Sequence, residues 1–169
     1  MDEKRHAGFT DDGYIADQDC FADWRYRTMS ADINGCGPIA FYNLLHALGR
    51  EADWREVFRE LESLHRVNMP GPTSMRAMRL MLARHLPQAR ETQGREAALE
   101  AAEKARAGIF RYWEGREPHF IAFVRQDGDR FRFFNVSDGL EDCEMSMERF
   151  GREHLRGGLC IVLTVEVSG

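Results

Sequence analysis

The chain has 169 residues, 43% of them hydrophobic and 30% charged, with 11 Phe and 3 Trp. A chain of this length buries about 70% of its extended surface on folding, which argues for one domain with one sizeable core and against disorder of the whole. The formal net charge of -5 gives no general attraction for nucleic acid or an anionic membrane surface, and the longest strongly apolar stretch, Leu159 to Val165, is far short of the roughly 20 residues that span a bilayer.

Residues 1–20 start Met1-Asp2-Glu3-Lys4-Arg5-His6 and run into an acidic, polar stretch with no apolar h-region. They read as a flexible segment ahead of a single domain over residues 21–169, and a cytoplasmic location is expected. The four cysteines, Cys20, Cys36, Cys143 and Cys160, form no CxxC pair, so spacing suggests neither a zinc cage nor a redox dithiol, and free thiols are expected. No metal and no organic cofactor is called for.

Gly35 to Leu48 opens with Gly and Pro and places Ile39, Ala40, Leu44, Ala47 and Leu48 near helical spacing, which predicts a buried helix. Ala52 to Arg66 carries Trp54, Val57, Phe58, Leu61 and Leu64 on one face and charges on the other, the pattern of an amphipathic helix. After the loop Met69-Pro70-Gly71-Pro72, Thr73 or Ser74 can cap a third helix bearing Met75, Met78, Leu82 and Leu86. The Ala-rich stretch Arg95 to Arg106 predicts a fourth, at the surface.

From Gly108 the period becomes strand-like. Ile109 to Trp113 is one strand, and Phe120 to Arg125 with Arg130 to Val136 flank the turn Gln126-Asp127-Gly128-Asp129 as a hairpin. Ser146 can cap a short helix to about His154, and Leu159 to Val167 forms the last strand. The pattern is α+β, with helices first and an antiparallel sheet second.

The stretch Asn34-Gly35-Cys36-Gly37-Pro38 sets a cysteine between glycines at a helix start, where backbone N–H groups and the helix dipole favour a thiolate. Gly35 and Gly37 would let backbone approach a substrate, and Asn34 is a candidate side-chain donor to an oxyanion. A thiolate nucleophile needs a proton carrier. Of the six histidines, His119 starts a hairpin strand after Pro118, and Asn135, at the end of the paired strand, can orient its ring; Asp138 is the alternative with a full charge. Trp24, Tyr26 and the loop Pro70-Gly71-Pro72 are candidates for the groove walls.

The order Cys, His, Asn or Asp resembles papain-like cysteine peptidases, and is most similar to the branch of bacteriocin-leader-processing (double-glycine) peptidases. Cys36-Gly37-Pro38-Ile39-Ala40 matches that branch's nucleophile block, and His119-Phe120-Ile121-Ala122-Phe123 its His-aromatic-apolar strand. The resemblance implies a papain-like α+β fold with a central helix starting at the nucleophile, and a cofactor-independent thiol hydrolase, a peptidase or amidase acting on a peptide or amide substrate. Acyl transfer to another acceptor uses the same constellation. The glutamine that such peptidases carry about six residues before the nucleophile is replaced here by Ser30. That departure leaves open an alternative, a weak or inactive domain that binds a peptide or leader segment.

Overall fold

The computed structural model describes residues 7–66, 70–136, 143–157 and 160–166. A 3-10 turn, Gln18–Phe21, leads into a small hairpin of β1 (Arg25–Tyr26) and β2 (Met29–Ser30). There follow the single turn α1 (Ala31–Asn34), then α2 (Cys36–Ala47), α3 (Trp54–Ser63) and α4 (Met75–His85). The second half runs β3 (Arg90–Gln93), α5 (Arg95–Lys104), β4 (Ala107–Glu114), β5 (Glu117–Arg125), β6 (Arg130–Phe134), β7 (Glu144–Ser146), α6 (Met147–Glu153) and β8 (Cys160–Val165).

The large sheet has strand order β3-β8-β4-β5-β6-β7 with every neighbouring pair antiparallel. This is the expected α+β arrangement. One sheet face, through Ile109, Phe120, Ala122 and Leu163, packs with α2 and the other early helices; the opposite face, through Phe110, Ile121, Phe123 and Val162, packs with α5 and α6. Every residue of α2 except His46 is buried, as expected of a helix that is apolar all round, and α2 lies across β5 and β4. The sheet therefore holds the start of α2 against the start of β5.

The helices begin where side chains can cap them. Asp53 accepts from Arg55 N–H at the start of α3, Ser74 from Ala77 N–H at α4 and Ser146 from Arg149 N–H at α6. Thr73, the other candidate cap of α4, is buried and its hydroxyl meets Tyr26 Oη at 2.8 Å. Strands β3 and β7 escape the sequence pattern. They are short edge strands, β3 mostly exposed, whose polar residues carry no apolar alternation.

Residues 7–20, set apart from the domain in the sequence reading, pack against it. Ile15 is fully buried, and its N–H and carbonyl both bond the Asn43 side chain of α2, each at 2.8 Å. Tyr14 stacks on Phe134 of β6 with ring centroids 4.0 Å apart, and Asp12 pairs with Arg132. None of the four cysteines is in a disulfide. Among the described residues no helix is long and apolar enough to cross a membrane.

Candidate active site

Cys36 is the first residue of α2 and is buried, 4% exposed. The preceding turn α1 reaches it through Gly35, whose N–H bonds the Ala31 carbonyl at 2.7 Å. A Cβ on Gly35 would sit 2.3 Å from that carbonyl oxygen, and one on Gly37 would sit 2.1 Å from the Thr73 hydroxyl. Both positions demand glycine because protein packs where a side chain would go. Neither glycine lines the cleft described below, which corrects their expected role as substrate contacts.

His119 lies near the start of β5, opposite Tyr112 of β4, and the two rings meet edge to face at 5.8 Å. Its Nε2 is 2.8 Å from the backbone carbonyl of Asn135. A carbonyl only accepts, so Nε2 carries the proton and donates it. Nδ1 is then the nitrogen left for Cys36, which lines the same cleft as His119 and acts on its pKa. Burial would lower the His119 pKa, but the hydrogen bond and charge of Cys36, the Asn135 carbonyl and the charge of Glu114 outweigh it, and the imidazole is raised above its ordinary 6.5.

The structure brings Asn135 to His119 by a different atom from the one expected. Asn135 adopts a left-handed conformation, φ 61, which turns its main-chain carbonyl to the imidazole while its side chain faces away, onto Gln18. Gln18 N–H donates to Asn135 Oδ1 at 3.1 Å, Asn135 Nδ2 donates to Gln18 Oε1 at 2.9 Å, and Gln18 Nε2 donates to the Asp32 carbonyl at 2.7 Å. Asp138 lies outside the described residues. Gln18 was missed because it stands 18 residues before Cys36, beyond any short motif, in a segment whose polarity reads as solvated.

A cleft of about 500 Å³ opens over the pair, lined by Met29, Ile33, Asn34, Cys36, Gly71, Pro72, Glu114, Glu117, Pro118 and His119. Asn34 thus shares the cleft with Cys36, and its Nδ2 lies 3.5 Å from the Gly71 carbonyl. The Gly71-Pro72 wall stands where expected. Trp24 does not line it, because its ring packs edge to face on Trp54 at 4.9 Å with the Arg59 guanidinium 5.7 Å from its centroid; Tyr26 is fully buried beneath the loop. Arg111 is a second residue that sequence reasoning passed over. Burial lowers its pKa and the charge of Cys36 raises it, and its Nε is buried without a hydrogen-bond partner among the described residues.

Among the described residues, the other histidines are engaged elsewhere. His46 Nε2 meets the Asp12 carbonyl, His85 pairs with Glu60, and His65 links the Leu61 carbonyl to Ser74 N–H. His154 stacks on Phe150.

No family model matches the chain, and no curated protein matches it in sequence. Among solved structures it is similar to the peptidase domain of Streptococcus ComA, described as a bi-functional ABC transporter involved in a quorum sensing pathway, with a TM-score of 0.49 and 16% identity over 78% of this chain and 91% of that one. A likeness of that size fixes neither family nor activity. The functional case rests on the site's own geometry.

Proposed function

We propose that the protein is a papain-like thiol hydrolase, a peptidase or amidase that forms an acyl-enzyme at Cys36. Cys36 Sγ attacks the substrate carbonyl carbon, and the imidazolium of His119 delivers its Nδ1 proton to the departing amine as the C–N bond breaks. Water then attacks the thioester, His119 takes its proton, and the C–S bond breaks, releasing the acid and returning Cys36 as the thiolate. The Asn135 carbonyl keeps Nε2 protonated, so Nδ1 is the nitrogen that exchanges protons with sulfur. Asn34, which lines the same cleft, would turn its amide from the Gly71 carbonyl to the oxyanion.

The observation that supports this reading is the hydrogen bond from His119 Nε2 to the Asn135 carbonyl, with His119 and Cys36 lining one cleft. One observation favours a second reading, a peptide-binding domain that does not cut. The amide groups of Gln18 and Asn34 both face backbone carbonyls, those of Asp32 and Gly71.

Alkylation by iodoacetamide with peptide mapping tests the first reading. Cys36 is expected to react fastest of the four thiols, and His119→Ala to slow it while leaving Cys20 unchanged. An inert Cys36 in folded protein would remove the hydrolase reading, and peptide affinity without turnover would favour the second.

A further inference from the structure

We propose that the cleft takes a peptide segment that presents a basic side chain next to an apolar one. The proposal deepens the hydrolase reading and rests on it for the position of the scissile bond; the ligand class itself comes from the two walls.

One wall is the mouth of the β4–β5 hairpin. Glu114 and Glu117 are direct cross-strand partners there, and both line the cleft. Like charges set opposite each other weaken a strand pair. The two-residue turn between them carries Gly115 at φ 61. Among the described residues the cleft lining holds two carboxylates and, besides His119, no cationic side chain, so the Glu114–Glu117 end favours a cation over an anion.

The other wall is apolar and left open to water. Met29 is 41% and Ile33 52% exposed, and they are two of the four large hydrophobic residues exposed among those described. Both face the cleft together with Pro72. This wall is held in place. Arg27, in a left-handed conformation at φ 60, donates its N–H to Glu62 Oε1 at 2.6 Å and its guanidinium to the carbonyls of Gly71 and Pro72, each at 2.7 Å. Preorganised walls spare a ligand the cost of ordering them. A Lys or Arg of the ligand can lay its aliphatic stem along the cleft with its charged head at Glu114 and Glu117, while a neighbouring Leu-sized side chain covers Met29 and Ile33.

The test uses the full chain carrying Cys36→Ala, so that binding is read without turnover. The probes are dye-labelled peptides Ala-Leu-Arg-Ala, Ala-Leu-Glu-Ala and Ala-Gly-Arg-Ala, titrated by fluorescence anisotropy at low and high salt. The Arg peptide is expected to bind about tenfold tighter than the Glu peptide, to lose much of that margin in high salt, and to lose affinity when Leu becomes Gly. Adding Glu114→Gln and Glu117→Gln should abolish the margin, and Glu114→Lys with Glu117→Lys should invert it, in proteins whose circular dichroism is unchanged. Equal affinity for the Arg and Glu peptides, or a margin that survives both charge changes, would overturn the proposal. Alkylation of Cys36 in the wild-type chain is read alongside. An inert Cys36 with the charge margin intact defeats the hydrolase reading and leaves the ligand class standing; a reactive Cys36 with no margin does the reverse.

Discussion

Asn135 separates two ways of orienting His119, because its carbonyl meets the imidazole while its side chain meets Gln18. Asn135→Gly keeps the carbonyl and suits φ 61; Asn135→Ala keeps the carbonyl and resists that φ. Both lose the two hydrogen bonds to Gln18, each worth about 1 kcal/mol. Alanine adds a left-handed cost of about 1–2 kcal/mol, and glycine adds about 0.4–1 kcal/mol of unfolded-chain entropy. The glycine variant should therefore be the more stable of the two by about 1 kcal/mol, read by urea unfolding. Reactivity should follow the same order. Cys36 alkylation in Asn135→Gly should stay within about fivefold of wild type, matching about 1 kcal/mol of lost orientation, whereas Asn135→Ala should fall further. If Asn135→Gly reacts as slowly as His119→Ala, the side chain and not the carbonyl does the orienting, and the reasoning fails.

Gln18→Ala removes the acceptor of Asn135 Nδ2 and the donor to the Asp32 carbonyl, and should cost about 1–3 kcal/mol in urea unfolding; its Cys36 alkylation rate should fall while that of Cys20 holds, and Gln18→Glu, which keeps the acceptor, should recover part of it. His119 titration by NMR should lie above 6.5 in the wild type and drop in Cys36→Ala, because burial then acts with less opposition. The linkage sign follows: His119 contributes stability that is full below its unfolded value and is lost as pH rises through the raised folded value, a fall that Cys36→Ala should shrink. His65 runs the other way. Its pKa is lowered by burial and by Arg27, and its Nε2 accepts from Ser74 N–H, so its contribution is present above 6.5 and is lost as pH falls through the lowered value; His65→Gln should flatten that acid limb of a stability profile. Gly37→Ala should destabilise by about 1–3 kcal/mol, since the new Cβ would overlap Thr73 throughout its side chain.

Much of the fold was legible because its long elements bury one face or all of it. The Val57, Phe58 and Leu61 stripe marked α3, and the helical spacing of Ile39, Ala40, Leu44 and Ala47 after Pro38 marked α2. The edge strands were not legible, since residues such as Arg90 and Glu91 meet solvent on most sides and are set by pairing with β8. At the site, Cys36 and His119 were readable from their position at element starts. The link to Asn135 was read with the right residue and the wrong atom, because spacing carries no information about a left-handed φ. Trp24 looked like a groove wall and is instead part of an aromatic cluster with Trp54 and Phe21.

The two non-glycine residues with positive φ among those described, Arg27 and Asn135, sit on opposite sides of the cleft. Each is held by side-chain bonds to a distant segment: Arg27 to Glu62 and to the Gly71-Pro72 loop, Asn135 to Gln18. Such conformations persist only where the surroundings over-determine them. In both cases the product is a fixed backbone group at the site, the carbonyl that orients His119 on one side and the loop that forms the apolar wall on the other. On the proposed mechanism the N-terminal segment helps position the site, because Gln18 bonds the side chain of Asn135, whose carbonyl meets His119. Removing residues 7–20 should consequently slow alkylation of Cys36 as well as weaken the fold, and the isolated substitution Gln18→Ala distinguishes the two effects.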